Sequence, residues 1–200
     1  MSSAAPAPGE EPILAALEAV GFAVRSVADL RHSGARYREA IPVLVDWLPR
    51  VADPKVKGEI VRALSVPWAK PLAIEPLLRE FRHLQASADP TGTGLRWTIG
   101  NALEVLFADA ELEAFTDLAR DERYGKARQM IVLGLGKSKR PEVVEVLLNL
   151  IDDPDVDGHA VKALGKLKAP SARSALENKL TDSRAWVRSE ARKGLAKLPA

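Results

Sequence analysis

The sequence predicts an all-α protein, folded as a right-handed α–α superhelix of five to six helical hairpins. Apolar residues recur at spacings of three and four, which places them on one stripe of a helix. One apolar pattern occurs twice at an offset of 31 residues, and proline or aspartate separates the amphipathic segments. No segment alternates polar and apolar residues as strands joined by hairpin turns would.

The repeat is clearest in the C-terminal third of the chain. Residues 152–167 read DDPDVDGHAVKALGKL, and residues 183–198 read SRAWVRSEARKGLAKL. At the offset of 31, four apolar pairs coincide: Val156 with Val187, Ala160 with Ala191, Leu164 with Leu195, and Leu167 with Leu198. We expect these residues to form a buried seam between hairpins, because a single hairpin cannot bury its own apolar face.

The same frame extends upstream. It predicts earlier second helices whose seam residues are Val56, Ile60 and Leu64 within 53–64; Leu95, Ile99 and Leu103 within 95–103; and Ala127, Ile131 and Leu135 within 127–135. Each second helix follows another amphipathic segment, and these first helices are predicted at 37–51, 70–84, 109–120, 140–151 and 170–180. A weaker pair at 11–20 and 23–32 is expected to cap the start of the array.

The residues at the turns agree with this division. Asp53-Pro54 and Asp153-Pro154 precede second helices, where aspartate caps a helix well and proline fits its first position. Asp182 occupies the equivalent place before 184–198. Pro141 and Pro170 are expected to open first helices in the same way.

The composition limits the chemistry and the compartment. There is no cysteine, which excludes disulfides, thiolate metal ligands and a cysteine nucleophile, and which fits a reducing compartment. Residues 1–10 lack the basic start and apolar core of a signal peptide, so we expect a disordered tail before a repeat domain at 11–200. No apolar run approaches the roughly 20 residues that span a bilayer, and we expect a cytoplasmic protein without a membrane contact.

The charge is small overall but uneven. The net charge is +2, yet residues 155–200 carry ten basic and five acidic side chains, a local net charge of +5. Such a gradient could attract nucleic acid or an acidic protein. The alternative is an ordinary solvated helical surface.

The second-helix pattern resembles that of HEAT repeats, especially the short bacterial kind also found in phycobilin-lyase-like proteins. The residues that carry the resemblance are Asp153, Val156, Ala160, Ala163, Leu164, Gly165 and Leu167, then Asp182, Val187, Arg188, Ala191, Leu195 and Leu198. The resemblance covers about 120–198 best, is weaker at 37–66, and is loose at 67–106. It implies a scaffold or adaptor, although a fold does not fix a function.

The outward positions of the second helices predict a partner-binding surface on the expected concave side. Counting from the first seam residue, positions i+2, i+3 and i+6 point outward and include three large apolar residues: Trp97, Met130 and Leu133. Polar residues flank them: Arg62, Asn101, His159 and Lys162. Apolar clusters with a polar rim mark binding sites. The alternative is that Trp97 and Met130 pack in the inter-repeat core.

A second row follows each first seam residue and is mostly basic: Lys57, Arg96, Arg128, Asp157 and Arg188. We favour a structural ladder in which these side chains pair with turn carboxylates such as Asp53 and Asp182 in adjoining hairpins. The alternative is a stripe that tracks the phosphates of a nucleic acid.

Several short motifs suggest chemistry without completing it. Residues 153–158 match the first half of a calcium loop, but the twelfth position, which needs a carboxylate, is Leu164. Gly136-Lys137-Ser138 lacks the earlier glycine of a phosphate loop and is better interpreted as a helix end. Gly92-Thr93-Gly94 is interpreted as a turn before a helix, where free N–H groups could bind an anion.

Neither the histidines nor Trp68 completes a site. The three histidines, His32, His83 and His159, fall in different repeats, and no nucleophile stands beside a base, so we predict no catalytic residue, metal or cofactor. Trp68, between two prolines, is expected to pack at a repeat boundary, with a recognition role in a loop as the alternative.

The function predicted from these patterns is a non-catalytic scaffold or adaptor that binds a protein through the concave face. One alternative is a nucleic-acid-binding helical-repeat protein that uses the basic C-terminal third. A further alternative is a bilin-lyase-like enzyme, for which the attachment thiol would lie on the substrate protein.

Overall fold

The chain consists of helical hairpins wherever its structure is described. A computed structural model describes residues 9–85, 89 and 94–199. Within these ranges the chain forms twelve α-helices and several 3-10 turns, and no strand. It divides into two compact units, Met1–Leu106 (unit 1) and Phe107–Ala200 (unit 2). The predicted all-α class, with repeated HEAT-like hairpins, is confirmed.

Unit 1 consists of two layers of helices. Its first helices are α1 (Glu11–Ala19), α3 (Ala40–Trp47) and α5 (Lys70–His83), and α3 packs against both of the others. Its second helices are α2 (Val27–His32), α4 (Pro54–Leu64) and α6 (Leu95–Leu106), with α4 packed against α2 and α6. All six helices lie where the apolar spacing predicts them, although α2 and α3 are shorter than the predicted segments.

Unit 2 repeats this plan. Its first helices are α7 (Leu112–Arg120), α9 (Val143–Asn149) and α11 (Arg173–Asn178). Its second helices are α8 (Gln129–Leu135), α10 (Asp157–Leu167) and α12 (Ala185–Leu195), with α10 packed against both neighbours. Pro170 begins a 3-10 turn that leads into α11, as predicted, whereas Pro141 lies in a turn two residues before α9.

The predicted seam forms the core of both units. Val56, Ile60 and Leu64 of α4 are at most 1% exposed. Ile131 and Leu135 of α8, and Ala127 in the 3-10 segment just before it, are fully buried. Val156, Ala160, Leu164, Val187 and Ala191 are also fully buried. Leu167 and Leu195 are only half-buried, because they lie in the last turns of their helices. The apolar spacing therefore identified these seam positions correctly, apart from the two at helix ends.

The helix starts confirm one predicted cap and correct two. Asp53 is the N-cap of α4, and its carboxylate accepts hydrogen bonds from Lys55 N (2.7 Å) and Val56 N (3.1 Å). Asp153 was expected to do the same, but α10 begins only at Asp157 after a non-helical Val156. Asp182 likewise lies outside α12, which begins at Ala185.

The two corrected aspartates cap turns instead of helices. Asp153 accepts a hydrogen bond from Asp155 N at 3.0 Å, and Asp182 accepts one from Arg184 N at 2.8 Å. Aspartate side chains readily accept a hydrogen bond from the backbone N–H two residues later, and this bond closes a turn. Both carboxylates thereby remain available to arginines, as described below.

Glycines set the closest approach of the second helices in unit 2. A Cβ atom added to Gly165 would lie 2.9 Å from the Cα of Gly194, and one added to Gly136 would lie 2.8 Å from the Cα of Ala163. Both distances are shorter than real Cβ contacts, so these positions admit no side chain without movement of a helix. Small residues at these crossings let α8, α10 and α12 pack backbone to backbone.

The predicted tail cannot be compared with the structure at residues 1–8, which lie outside the described residues. Its last residue, Glu10, is buried, and its carboxylate accepts a hydrogen bond from Val27 N at 2.7 Å. The domain boundaries therefore remain a prediction. No helix in the described ranges is long and apolar enough to cross a membrane.

Candidate partner-binding surface

The second helices of unit 1 form the walls of an open groove. It lies between α4 and α6, has a volume of about 590 Å³, and includes Glu59, Arg62, Trp97 and Thr98 in its lining. Gly58 is also in the lining, and it has no side chain to fill the groove. Arg62 and Trp97, two of the predicted site residues, are thus brought together.

A polar network fixes the rim of this groove. Glu59 accepts hydrogen bonds from Arg62 at 2.8 Å and from Arg31 of α2 at 2.5 Å. Asn101, the third predicted residue of unit 1, donates through Nδ2 to the Trp97 carbonyl at 3.2 Å. Trp97 itself is half-buried, so it is neither fully exposed nor a core residue, the two alternatives considered from the sequence. Its ring therefore offers part of its surface to the groove.

Unit 2 contains the other four predicted residues, and one of them is misplaced by the repeat frame. Met130, His159 and Lys162 are half-buried, but Leu133 is only 7% exposed. Positions 131–136 are all buried, because α8 packs against α7, α9 and α10. A helix that is apolar on all sides is buried on all sides. Leu133 is therefore a core residue, and its expected outward orientation is wrong.

An exposed tryptophan lies beside His159 and was not among the predicted site residues. Trp186, in the first turn of α12, is 44% exposed, and its ring meets His159 edge to face with centroids 5.5 Å apart. The Arg184 guanidinium lies 5.9 Å from the centroid of the same indole. A Cβ atom at Gly158 would come within 2.2 Å of this ring, so Gly158 provides the space that Trp186 occupies.

A signal for Trp186 does exist in the sequence. Gly158 lies in the first turn of a second helix, and Ser189 takes its place in the next repeat. An isolated glycine of this kind indicates a close neighbour. The spacing of apolar residues does not reveal which neighbour it is.

The electrostatic surroundings of His159 favour its neutral form. Burial lowers the pKa of His159 below its ordinary value, and the nearby Lys162 charge lowers it further. The imidazole is thus uncharged at neutral pH, and its ring contacts that of Trp186.

Arg128 lies at the edge of the second-helix layer and forms the most buried ion pair of unit 2. Its side chain is 1% exposed and pairs with Asp153 at 2.7 Å and with Asp155 at 3.8 Å. It also donates to the carbonyls of Ala119 and Gly125, both at 3.0 Å. This pair is the predicted ladder contact between a row residue and a turn carboxylate of the next hairpin.

The next step of the ladder has the opposite polarity. Asp157, the row residue of α10, pairs with Arg184 through both oxygens. Arg184 occupies the position that Asp153 holds one repeat earlier, at the offset of 31. Arg184 also donates to Asp182, and this bonding lowers the pKa of Asp182 to about 2. The pairing geometry is thus kept while the charges are exchanged.

The remaining row residues pair differently from the prediction. Lys57 pairs with Glu80 of α5 and not with Asp53, whose carboxylate caps its own helix. Arg96 is buried and donates to the carbonyls of Phe81 and Leu84 near the end of α5. Arg188 donates to the carbonyls of Asp182 and Ser183. Lys57 thus links its hairpin to the next one, whereas Arg96 and Arg188 stabilise their own hairpins. All three are engaged within the protein, which favours the structural interpretation of the row over a phosphate stripe.

The motifs that suggested chemistry have structural partners. The carboxylates of residues 153, 155 and 157 face arginines, as described above. Gly136 is the C-cap of α8, as predicted. Of Gly92-Thr93-Gly94, the first two residues lie outside the described residues. Trp68 is half-buried and packs edge to face on Tyr37 with centroids 5.7 Å apart.

A comparison with known families agrees with the hairpin architecture. Residues 112–196, most of unit 2, match the family model of HEAT repeats. Residues 112–196 are thus similar to HEAT repeats, in keeping with the helical hairpins seen in the described part of the chain. No curated protein matches the sequence. HEAT repeats generally mediate protein interactions and scaffolding, and the family is typically non-enzymatic.

Proposed function

We propose that this protein is a non-catalytic adaptor that binds a protein partner through the second-helix face of each of its two units. This second-helix face comprises Arg62, Trp97 and Asn101 in unit 1, and Met130, His159, Lys162 and Trp186 in unit 2. The last residue is added to the surface predicted from the sequence, and Leu133 is removed from it.

One observation carries the proposal: each unit presents a partly exposed tryptophan among polar residues on its second helices. Tryptophan is enriched among the residues that dominate binding energy, and a polar rim excludes water from such an anchor. The Trp97 side chain lines the groove between α4 and α6, and the Trp186 indole lies over Gly158 and against His159. A preorganised side chain loses little entropy on binding.

Site-specific photo-crosslinking tests this face directly. A photoreactive amino acid is placed in the living cell at Thr98 or Ser189, on second helices, and at Leu72 or Ser174, on first helices, as matched controls. We expect crosslinks to protein at the first two positions, and we expect Trp97→Ala and Trp186→Ala to reduce them. Crosslinks confined to the first-helix positions would contradict the proposal.

A nucleic-acid-binding role is the second candidate, and the local charge of +5 over residues 155–200 favours it. Against it, Arg184, Arg188 and Lys179 of this segment are engaged with carboxylates or carbonyls of unit 2. Gel-shift titrations across a series of salt concentrations separate the candidates, since phosphate binding weakens steeply with salt.

A further inference from the structure

We propose that the face formed by α10 and α12 binds a short acidic segment of the partner protein, with Trp186 as the apolar anchor. This inference rests on the proposed function and specifies the chemistry of the partner for unit 2. The face is defined by His159, Lys162 and Lys166 on α10, and by Trp186, Glu190 and Lys193 on α12.

The anchor is a large apolar surface that the fold itself leaves accessible. Trp186 is the only tryptophan among residues 107–200 and is 44% exposed. Its ring is not loose, because it rests over Gly158 and against His159. The indole can therefore cover an aliphatic side chain of a partner, while the uncharged His159 ring extends the same platform towards Lys162.

Cations surround this platform. Lys162 and Lys166 follow His159 at i+3 and i+7, so all three lie on one stripe of α10. Lys162 is half-buried beside His159, and Lys166 is exposed. On α12 the stripe of Trp186 continues to Glu190 and Lys193, which pair at 2.7 Å with the lysine 61% exposed. The face thus combines one aromatic anchor with an excess of positive charge.

The spacing of the lysines suits an extended peptide. Four helical residues rise about 6 Å, which separates Lys162 from Lys166 along α10. Two residues of an extended chain cover about 6.6 Å, so carboxylates at alternate positions of a peptide would meet both lysines. We therefore infer a segment with acidic residues at every second position and an aliphatic residue at one end.

A nucleic acid fits the same face less well. Glu190 shares the stripe with Lys193, and Asp155 and Asp152, near the start of α10, have side chains that are 38% and 90% exposed. A regular phosphate backbone cannot avoid these carboxylates, whereas a peptide can place neutral residues opposite them. The carboxylates thus favour a peptide occupant.

Nuclear magnetic resonance of the indole N–H groups tests the proposal on the full chain. The four tryptophans give four indole signals, and Trp186→Phe identifies the one from unit 2. The probe is a six-residue acetylated peptide with glutamate at alternate positions and an N-terminal leucine. We expect a saturable shift of the Trp186 signal, with a dissociation constant tighter than about 1 mM, while the three signals of unit 1 stay in place.

Matched variants and probes decide the chemistry. Lys162→Gln together with Lys166→Gln should weaken peptide binding about fivefold to tenfold, because two ion pairs are lost. Lys139→Gln, an exposed lysine in the turn between α8 and α9, should leave it unchanged. A peptide with glutamine in place of glutamate should lose at least as much affinity, because it forms none of these ion pairs.

Three results would overturn the proposal: no saturable shift, equal binding of the glutamine peptide, or tighter binding of single-stranded DNA of matched charge. Crosslinks at Ser189 combined with any of these results would refute the acidic segment and leave the adaptor function intact. Absence of crosslinks at both Thr98 and Ser189 would refute the adaptor function itself, whatever the peptide does.

Discussion

Replacing Asp153 by asparagine tests how strongly the buried Arg128 guanidinium depends on a charged partner. The two groups lie 2.7 Å apart, with Arg128 1% exposed and Asp153 16% exposed. At an effective dielectric constant of about 20, two unit charges at this distance attract by about 6 kcal/mol before any compensation. Asp155, at 3.8 Å, and the two carbonyl acceptors remain in the variant and offset part of the loss.

We therefore expect Asp153→Asn to lower the free energy of unfolding by about 3 kcal/mol, the lower end of the range for a broken buried pair. The assay is urea unfolding followed by far-ultraviolet circular dichroism, repeated in an Arg128→Met background. There the asparagine substitution should cost less than about 1 kcal/mol, which gives a coupling free energy of about 2 kcal/mol between the two sites.

The exposed pair of Arg140 and Glu142, with both side chains more than half exposed, is the matched control. Arg140→Gln should leave the unfolding midpoint where it is, because solvent screens such pairs. A cost below about 1 kcal/mol for Asp153→Asn alone, or strict additivity with Arg128→Met, would refute the view that this pair stabilises unit 2.

Three further predictions follow from single positions. Gly165→Ala should lower the free energy of unfolding in urea by about 1–3 kcal/mol, because the added Cβ meets the backbone of Gly194; an unchanged midpoint would contradict this close approach. His159 has a lowered pKa in the folded chain, so stability should be complete at neutral pH and decrease as the pH falls below about 6.5, where the unfolded chain takes up a proton first; His159→Gln should flatten this dependence in urea titrations at several pH values. No acceptor among the described residues lies within hydrogen-bonding distance of the buried Trp68 Nε1, so Trp68→Phe should cost less than about 2 kcal/mol in the same assay, below the usual range for a buried large-to-small change; a loss above about 3 kcal/mol would show that the ring contributes more by packing than this donor costs.

The core was predictable because burial follows spacing. Val156, Ala160 and Leu164 recur every four residues, and any helix with that pattern turns them to one side. Leu133 could not be placed by the same rule, since α8 is apolar on every side and has no single buried stripe. The repeat pattern predicts one buried face for each second helix, whereas α8 is covered on several sides by α7, α9 and α10.

The starts of α10 and α12 and the exposed Trp186 could not be predicted from the spacing of apolar residues alone. Asp53 and Asp153 precede prolines in the same way, yet Asp153 is held in a turn by Asp155 and by the Arg128 charge from another hairpin. The position of the Trp186 ring depends on Gly158, which lies 28 residues away in the sequence and leaves room for it. Contacts between residues this far apart in the sequence depend on how neighbouring hairpins pack. The spacing of residues within one helix does not show which residue of the next hairpin each side chain will contact.

The exchanged charges along the edge of unit 2 also determine the order in which its hairpins can follow one another. If the α9–α10 hairpin were duplicated, Asp157 of the first copy would meet Asp153 of the second, and two carboxylates would face each other. If that hairpin were deleted, Arg128 would meet Arg184, and two guanidinium groups would face each other. Like charges at such short range are costly. Gain or loss of this one hairpin, a common way for repeat arrays to change length, is therefore disfavoured by the polarity of its two boundaries.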